Sequence, residues 1–269
     1  MSVESYGTYV LESDARRLRV EAEHILAHNP EQRNTWWLPF DREPSNIIED
    51  YVVKSAMQHG VHGSYLGAEW WIREHTESSS SWYFHVDSDV ARWRQEQVYY
   101  SAPFSTVLYL CDSGQPTVVV DKYADWEKTD NQYIVGENHW SMWSAPKMGK
   151  QINWSLPYFH GVVGNYGKLA EGETRITLMF NVWKTKPYAP SCIDYNLPYE
   201  IKKGCVTLTP IKDTDIEWKH PHGHIELNLE GVPFNLQYHG FCQHKKSWTV
   251  TQHPPQMLEV FGLERSPTQ

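Results

Sequence analysis

His85 and Asp87 stand one position apart at the end of the aromatic run Ser81-Trp-Tyr-Phe-His-Val-Asp-Ser-Asp89. Side chains on a strand alternate between faces, so a His-x-Asp pair presents an imidazole and a carboxylate on the same side. Alone, that pattern is most often an ordinary polar turn rather than half of a metal site. A second histidine, His160 in "SLPYFHGVVG", opens another apolar strand well downstream. Two histidines and one carboxylate on one face form the set that holds non-heme Fe(II) and leaves positions open for a co-substrate and dioxygen.

Further along, Arg175 opens the strongest strand pattern of the chain, "TRITLMFNVW", and Thr177 falls on the same face two residues later. An arginine forks onto a carboxylate with two parallel hydrogen bonds, and a nearby hydroxyl adds a third. The pair suits the distal carboxylate of a keto-diacid; the competing reading is a surface ion pair at a strand edge. Asp89 is a rival carboxylate to Asp87, or a group that orients a ligand from behind. The run "KHPHGH" at 219–224 gathers three histidines, but its proline and glycine favour an exposed turn. Cys111, Cys192, Cys205 and Cys242 are scattered without a CxxC pair, which fits reduced structural thiols better than a zinc knuckle or a disulfide framework.

These residues need strands to hold them. From residue 64 onward the chain breaks into short runs rich in Val, Ile, Thr, Tyr, Phe and Trp between turn residues, predicting strands at 68–75, 81–86, 104–111, 116–121, 140–144, 150–154, 159–163 and 174–184. Regularly spaced short strands indicate a sandwich or barrel, here a jelly roll. Before them, Ile47, Ile48, Tyr51, Val52 and Ala56 recur at helical spacing and predict a helix over 46–59, capped by Ser45. The segment 34–45, "NTWWLPFDREPS", reads either as a lid over the site or as a patch that docks the helix on the barrel. Beyond Pro187 the pattern is mixed, with strands expected at 204–208 and 246–251 and a short helix at 255–261. The whole reads as mainly β with flanking helices in one domain over 1–269. Residues 1–63 would be helical support and possible lid, 64–186 the jelly-roll core with the metal site, and 187–269 a C-terminal extension.

Taken together, His85-Val86-Asp87, "APFSTVLYL", "GQPTVVV", "PKMGKQINWS" leading into "FHGVVG", and "TRITLMFNVW" resemble the Fe(II)/2-oxoglutarate-dependent dioxygenases, in the broad group that includes prolyl hydroxylases. The match spans about 80–184. The resemblance implies a double-stranded β-helix, a cupin-like jelly roll, which agrees with the strand spacing. It implies iron ligands His85, Asp87 and His160, with Arg175 and Thr177 on the C5 carboxylate of 2-oxoglutarate. Tyr109, in "VLYL", resembles a tyrosine that some relatives place on the same carboxylate. The stretch from His160 to Arg175 is longer than is usual in the group, and "NYGKLAEGE" at 165–173 reads as a looped-out hairpin that absorbs the difference. The implied reaction couples decarboxylation of 2-oxoglutarate, with O2, to hydroxylation, desaturation or cyclisation of a substrate. A carboxylate at Asp87 disfavours halogenation, because related halogenases place a small residue there to admit chloride.

A chain of 269 residues with 40% hydrophobic and 14% aromatic content can bury a substantial core. Its formal net charge of −9 offers no basic footprint for nucleic acid. There is no signal-peptide pattern and no stretch long and apolar enough to span a bilayer, so a cytoplasmic protein without membrane or nucleic-acid partners is expected. Trp82, Tyr83, Trp93, Tyr99, Trp143, Asn153 and Trp154 flank the motif strands and either line a pocket or pack in the core. The expected substrate is a small molecule, such as an amino acid derivative or secondary metabolite. Alternatives are a peptidyl side-chain hydroxylase, a non-catalytic cupin-like binding protein and, more weakly, a zinc hydrolase.

Overall fold

The computed structural model describes residues 8–29, 34–76, 82–96, 100–124, 134–135, 141–155, 157–162, 169, 171–188, 192–194, 202–210, 224–228 and 247–251. Most of their regular structure is β. In chain order the strands are β1 (Thr8–Val10), β2 (Thr35–Pro39), β3 (Gly67–His75), β4 (Trp82–His85), β5 (Phe104–Tyr109), β6 (Thr117–Ala124), β7 (Ile134–Val135) and β8 (Ser141–Ser144). They continue with β9 (Lys150–Trp154), β10 (Tyr158–Val162), β11 (Arg175–Trp183), β12 (Cys192–Asp194), β13 (Leu208–Pro210), β14 (His224–Asn228) and β15 (Ser247–Thr251). The helices are α1 (Glu12–His28), α2 (Ile47–Gln58) and α3 (Val90–Glu96).

An eight-stranded sheet runs in the order β12-β2-β3-β11-β5-β9-β1-β13. A second sheet runs β4-β10-β6-β7, with β8 also on β6, and β14 pairs with β15. Every neighbouring pair with a stated register is antiparallel except β12 with β2.

Alternation along the two long central strands of the large sheet separates two functions. Ala68, Trp70 and Ile72 of β3, with Ile176, Leu178, Phe180 and Val182 of β11, enter the main core. That core is closed by Ala15, Leu18, Ala22 and Ile25 of α1 and by Ile48, Tyr51, Val52 and Ala56 of α2, spaced three and four apart as a helix face requires. Full burial of each large aliphatic side chain contributes roughly 1.5–3 kcal/mol, so this layer fixes the sheet that carries the site. The odd-numbered residues of β3 and β11 point the other way, into a cavity shared with the second sheet.

Polar contacts lock α2 to the sheet. Gln151 of β9 accepts from Tyr51 Oη at 2.9 Å and from Ser55 Oγ at 3.0 Å, and its amide meets His59 Nε2 at 3.2 Å. The helix begins one residue later than the sequence suggests: Asn46, not Ser45, is the cap, its Oδ1 accepting from Ile48 N at 2.9 Å and Glu49 N at 3.0 Å. Ser45 instead donates its N–H and hydroxyl to Glu49 Oε2, at 2.8 and 2.7 Å.

Within the segment expected as a lid or docking patch, Thr35–Pro39 is a strand of the large sheet, paired with β3 and β12, and Trp36, Leu38 and Phe40 pack in one core with residues of α1 and α2. Gly67 permits that pairing, because a Cβ there would lie 2.4 Å from the Leu38 carbonyl oxygen. With β1 and β2 in the sheet, residues 1–63 contribute strands as well as helices. The strand expected at 204–208 is displaced to β13. Residues 202–207 run without regular pairing because α1 and α2 side chains take their backbone N–H groups: Val206 N donates to Asp50 Oδ2 at 2.7 Å and Thr207 N to Asp14 Oδ2 at 2.8 Å. The expected helix at 255–261, Tyr99, Cys242, most of the 165–173 hairpin and all of "KHPHGH" except His224 lie outside the described residues. No described helix is long and apolar enough to cross a membrane.

Candidate metal centre

One strand pair assembles the ligand set. β10 runs antiparallel to β4 with His160 directly opposite His85, and the register shifts between His160 and Val162. Asp87 follows β4 by two residues and comes back beneath both rings: its Oδ1 lies 3.4 Å from His85 Nε2 and its Oδ2 3.5 Å from His160 Nε2. One donor atom from each of the three residues falls within 4.8 Å of the others, a span that one cation can bridge.

The surroundings fix each ligand. His160 Nδ1 sits 3.1 Å from the Tyr158 carbonyl oxygen, which can only accept, so Nδ1 carries the hydrogen and the Nε2 lone pair is left for a metal. Trp154 packs on the same ring at 4.6 Å between centres. Asp87 accepts from Ser105 Oγ at 3.3 Å and from the Asn181 side chain. Burial works to raise the Asp87 pKa, but the charges of His160 and His85 with the hydrogen bonds from His85 and Asn181 outweigh it and hold the carboxyl well below the usual range. Burial pushes His160 down to about 4, against the pull of Asp87. Both groups therefore stand at neutral pH in the forms a metal needs. The His85 side chain is 37% exposed against 14% for Asp87 and 10% for His160, so solvent reaches the set from the His85 side.

Asp89, the rival carboxylate, is spent elsewhere. Its Oδ1 accepts from Arg92 N at 3.0 Å, capping α3, and its Oδ2 from Tyr188 N at 2.9 Å.

The triad opens into a cavity of about 320 Å³. Arg175, the first residue of β11, and Thr177, the third, line it, and the Thr177 hydroxyl is buried without a hydrogen-bond partner among the described residues. Arg175 is buried, with Nε donating to Gln115 O and Nη2 to Thr117 Oγ1, each at 2.9 Å. Gly114, at φ 113°, lets the preceding turn close on this arginine: a Cβ there would sit 3.0 Å from Arg175 Cβ. Tyr109 pairs with Thr177 across β5 and β11, its ring centre 5.4 Å from the Arg175 guanidinium carbon. Its hydroxyl donates to the Ser144 carbonyl at 2.7 Å.

Several cavity residues escape a reading of sequence alone. Glu69, Trp71, Arg73 and His75 of β3 line it, opposite Asn181, Met179, Thr177 and Arg175 of β11. Burial pushes His75 down to about 3, helped by Arg175 and Arg73. Burial pushes Glu69 up to about 7; the hydrogen bond from Thr35 opposes this, while the charges of Asp87 and Asp89 add to it. The signal for these residues was the parity they share with Arg175, usable only once the register between β3 and β11 is known. Of the flanking aromatics, Trp154 lines the cavity, whereas Asn153 is buried elsewhere; the side chains of Trp82, Tyr83, Trp93 and Trp143 lie outside the described set.

No family model matches the chain, and no curated protein matches it. Among solved structures, the chain is similar to a Pseudomonas putida prolyl-4-hydroxylase, with 15% identity, 65% of this chain and 84% of that chain covered, and a TM-score of 0.41. It is also similar to EctD from S. alaskensis in its apoform, with 14% identity, 74% and 84% coverage and a TM-score of 0.38. HygX from Streptomyces hygroscopicus, with nickel and 2-oxoglutarate bound, gives 14% identity, 64% and 78% coverage and a TM-score of 0.33.

Proposed function

We propose that this chain is an Fe(II)/2-oxoglutarate-dependent dioxygenase with a double-stranded β-helix core, oxidising a small molecule. The observation that carries the reading is the convergence of His85, Asp87 and His160 within 4.8 Å, in one cavity with Arg175 and the unpartnered Thr177 hydroxyl.

The residues fit the groups proposed. Two imidazoles and one carboxylate suit Fe(II), and a set of three protein ligands leaves further coordination positions open. Arg175 and Thr177 offer a buried cation and a free hydroxyl to the distal carboxylate of 2-oxoglutarate. When bound, iron and the keto acid supply oxidative decarboxylation with O2, coupled to oxidation of a substrate C–H bond.

The chain's own residues bind, orient and shield. Asn181 and Ser105 keep the Asp87 carboxylate aimed between the two rings. Gln115 O and Thr117 hold the guanidinium of Arg175 in place, so little side-chain freedom remains to be lost on capturing a carboxylate. Trp154 covers one side of His160 and keeps water from that flank. A cavity near 320 Å³ lies at the small end of ligand pockets, which supports a metabolite-sized substrate over a macromolecule.

Anaerobic loading followed by desalting tests the metal assignment. One Fe(II) per wild-type chain and none in Asp87→Ala is expected. Equal iron in both proteins overturns the assignment.

A further inference from the structure

Charged side chains line the cavity along the β3–β11 ladder. Arg175 and Arg73 occupy one end of the register, with partners His75 and Thr177. Four positions on from Arg73, toward the start of β3, Glu69 stands opposite Asn181. Between them come Trp71 and Met179, and beyond Asn181 comes Trp183, all on the cavity face.

Two acceptors meet at the Glu69 end. Thr35 Oγ1 donates to Glu69 Oε1 at 2.6 Å and so fixes the carboxyl group. The Asn181 N–H group is committed to Asp87, which can only accept from it in its ionised form. That orientation leaves Asn181 Oδ1 as the free atom of the amide, buried and without a partner among the described residues. A buried carbonyl oxygen with no donor costs about 1–3 kcal/mol, which a ligand N–H group would recover. Trp71 and Trp183 flank the pair on the same face, and indole faces attract cations.

We infer that Glu69 and Asn181 Oδ1, framed by Trp71 and Trp183, form a subsite for an ammonium group of the substrate. The inference deepens the dioxygenase reading and rests on it for the word substrate; the subsite itself needs no metal. An ammonium supplies the donor that Asn181 Oδ1 lacks, with its positive charge beside the Glu69 carboxyl group. A cationic group would be turned away from the Arg175 end, where it meets like charge.

The test uses the full chain and three probes of one shape: cyclohexylammonium, cyclohexanol and cyclohexanecarboxylate. Ligand-detected NMR titrations are run under anaerobic conditions with Fe(II) and 2-oxoglutarate, and again with neither. Wild type should bind the ammonium about tenfold tighter than the alcohol in both conditions. Glu69→Gln keeps the acceptor for Thr35 but loses the charge, and should bring the two within about twofold. Glu69→Asp, which keeps the charge and withdraws it by one methylene, should retain a reduced preference and guards against a misfolded glutamine variant. Equal affinity for ammonium and alcohol in wild type overturns the subsite, as does a preference that survives in Glu69→Gln. An ammonium preference in a chain that takes up no iron would leave the subsite standing and remove the dioxygenase reading. Iron uptake without the preference would do the reverse.

Discussion

His160 lies directly across the β10–β4 ladder from His85, with the two ring centres 4.4 Å apart and Asp87 reaching both. Backbone pairing thus brings the two histidines together, and the carboxylate depends on Ser105 and Asn181 for its aim. Asn181→Ala removes one of those neighbours while leaving all three ligands. Fe(II) affinity should fall about 10- to 100-fold, as for other groups that orient metal ligands, with the melting temperature nearly unchanged. An anaerobic Fe(II) titration reads this directly, and unaltered affinity would mean that Asn181 does not position Asp87.

Glu69 links the cavity to stability. Its folded-state carboxyl titrates at about 7, above the ordinary 4.5, so the folded protein holds this proton more tightly than the unfolded chain does. The resulting stabilisation is full below pH 4.5 and is lost as pH rises through 7. Glu69→Gln should therefore gain on wild type by up to about 3 kcal/mol at pH 8 and much less at pH 4. Thermal melts at the two pH values check it; an equal difference at both would contradict a carboxyl group whose pKa burial raises.

His75 acts with the opposite sign. Its pKa of about 3 in the fold lies below the ordinary 6.5, so its contribution is present above pH 6.5 and is lost as pH falls toward 3. His75→Gln should flatten the acid limb of the stability profile between those values. An unchanged limb would show that His75 becomes protonated without cost.

Gly114 supports Arg175 through the space its missing side chain leaves. Gly114→Ala strains a backbone at φ 113° by about 1–3 kcal/mol and pushes on the arginine. The 2-oxoglutarate concentration needed for half-saturation should rise while Fe(II) affinity holds. A parallel loss of both would point to general unfolding instead, which circular dichroism would reveal.

His85, Asp87 and His160 were legible as a donor set from their residue types, although Asp87 lies past the end of β4 and the meeting of the two histidines depends on β4–β10 pairing; Thr177 followed from Arg175 by period-two alternation. Glu69, Arg73 and His75 were not, because their place depends on the β3–β11 register, which no local pattern encodes. Strand β2 escaped for another reason. Thr35, Trp36, Trp37 and Leu38 are all buried, so the run has no polar alternation and reads as a generic aromatic patch. Asp89, the rival carboxylate of the sequence reading, is taken as a cap by α3, which begins at the next residue.

The central claim is that one cavity binds both iron and a keto acid. Its most direct test is an anaerobic Fe(II) titration with and without 2-oxoglutarate, following the visible charge-transfer band of the chelated keto acid in wild type and Arg175→Ala. The account predicts the band in wild type and a requirement for about 100-fold more 2-oxoglutarate in the variant, the scale expected for removing a buried charge partner. A folded wild-type protein that gives no band, or an Arg175→Ala variant that gives it at the same concentration, would contradict the account.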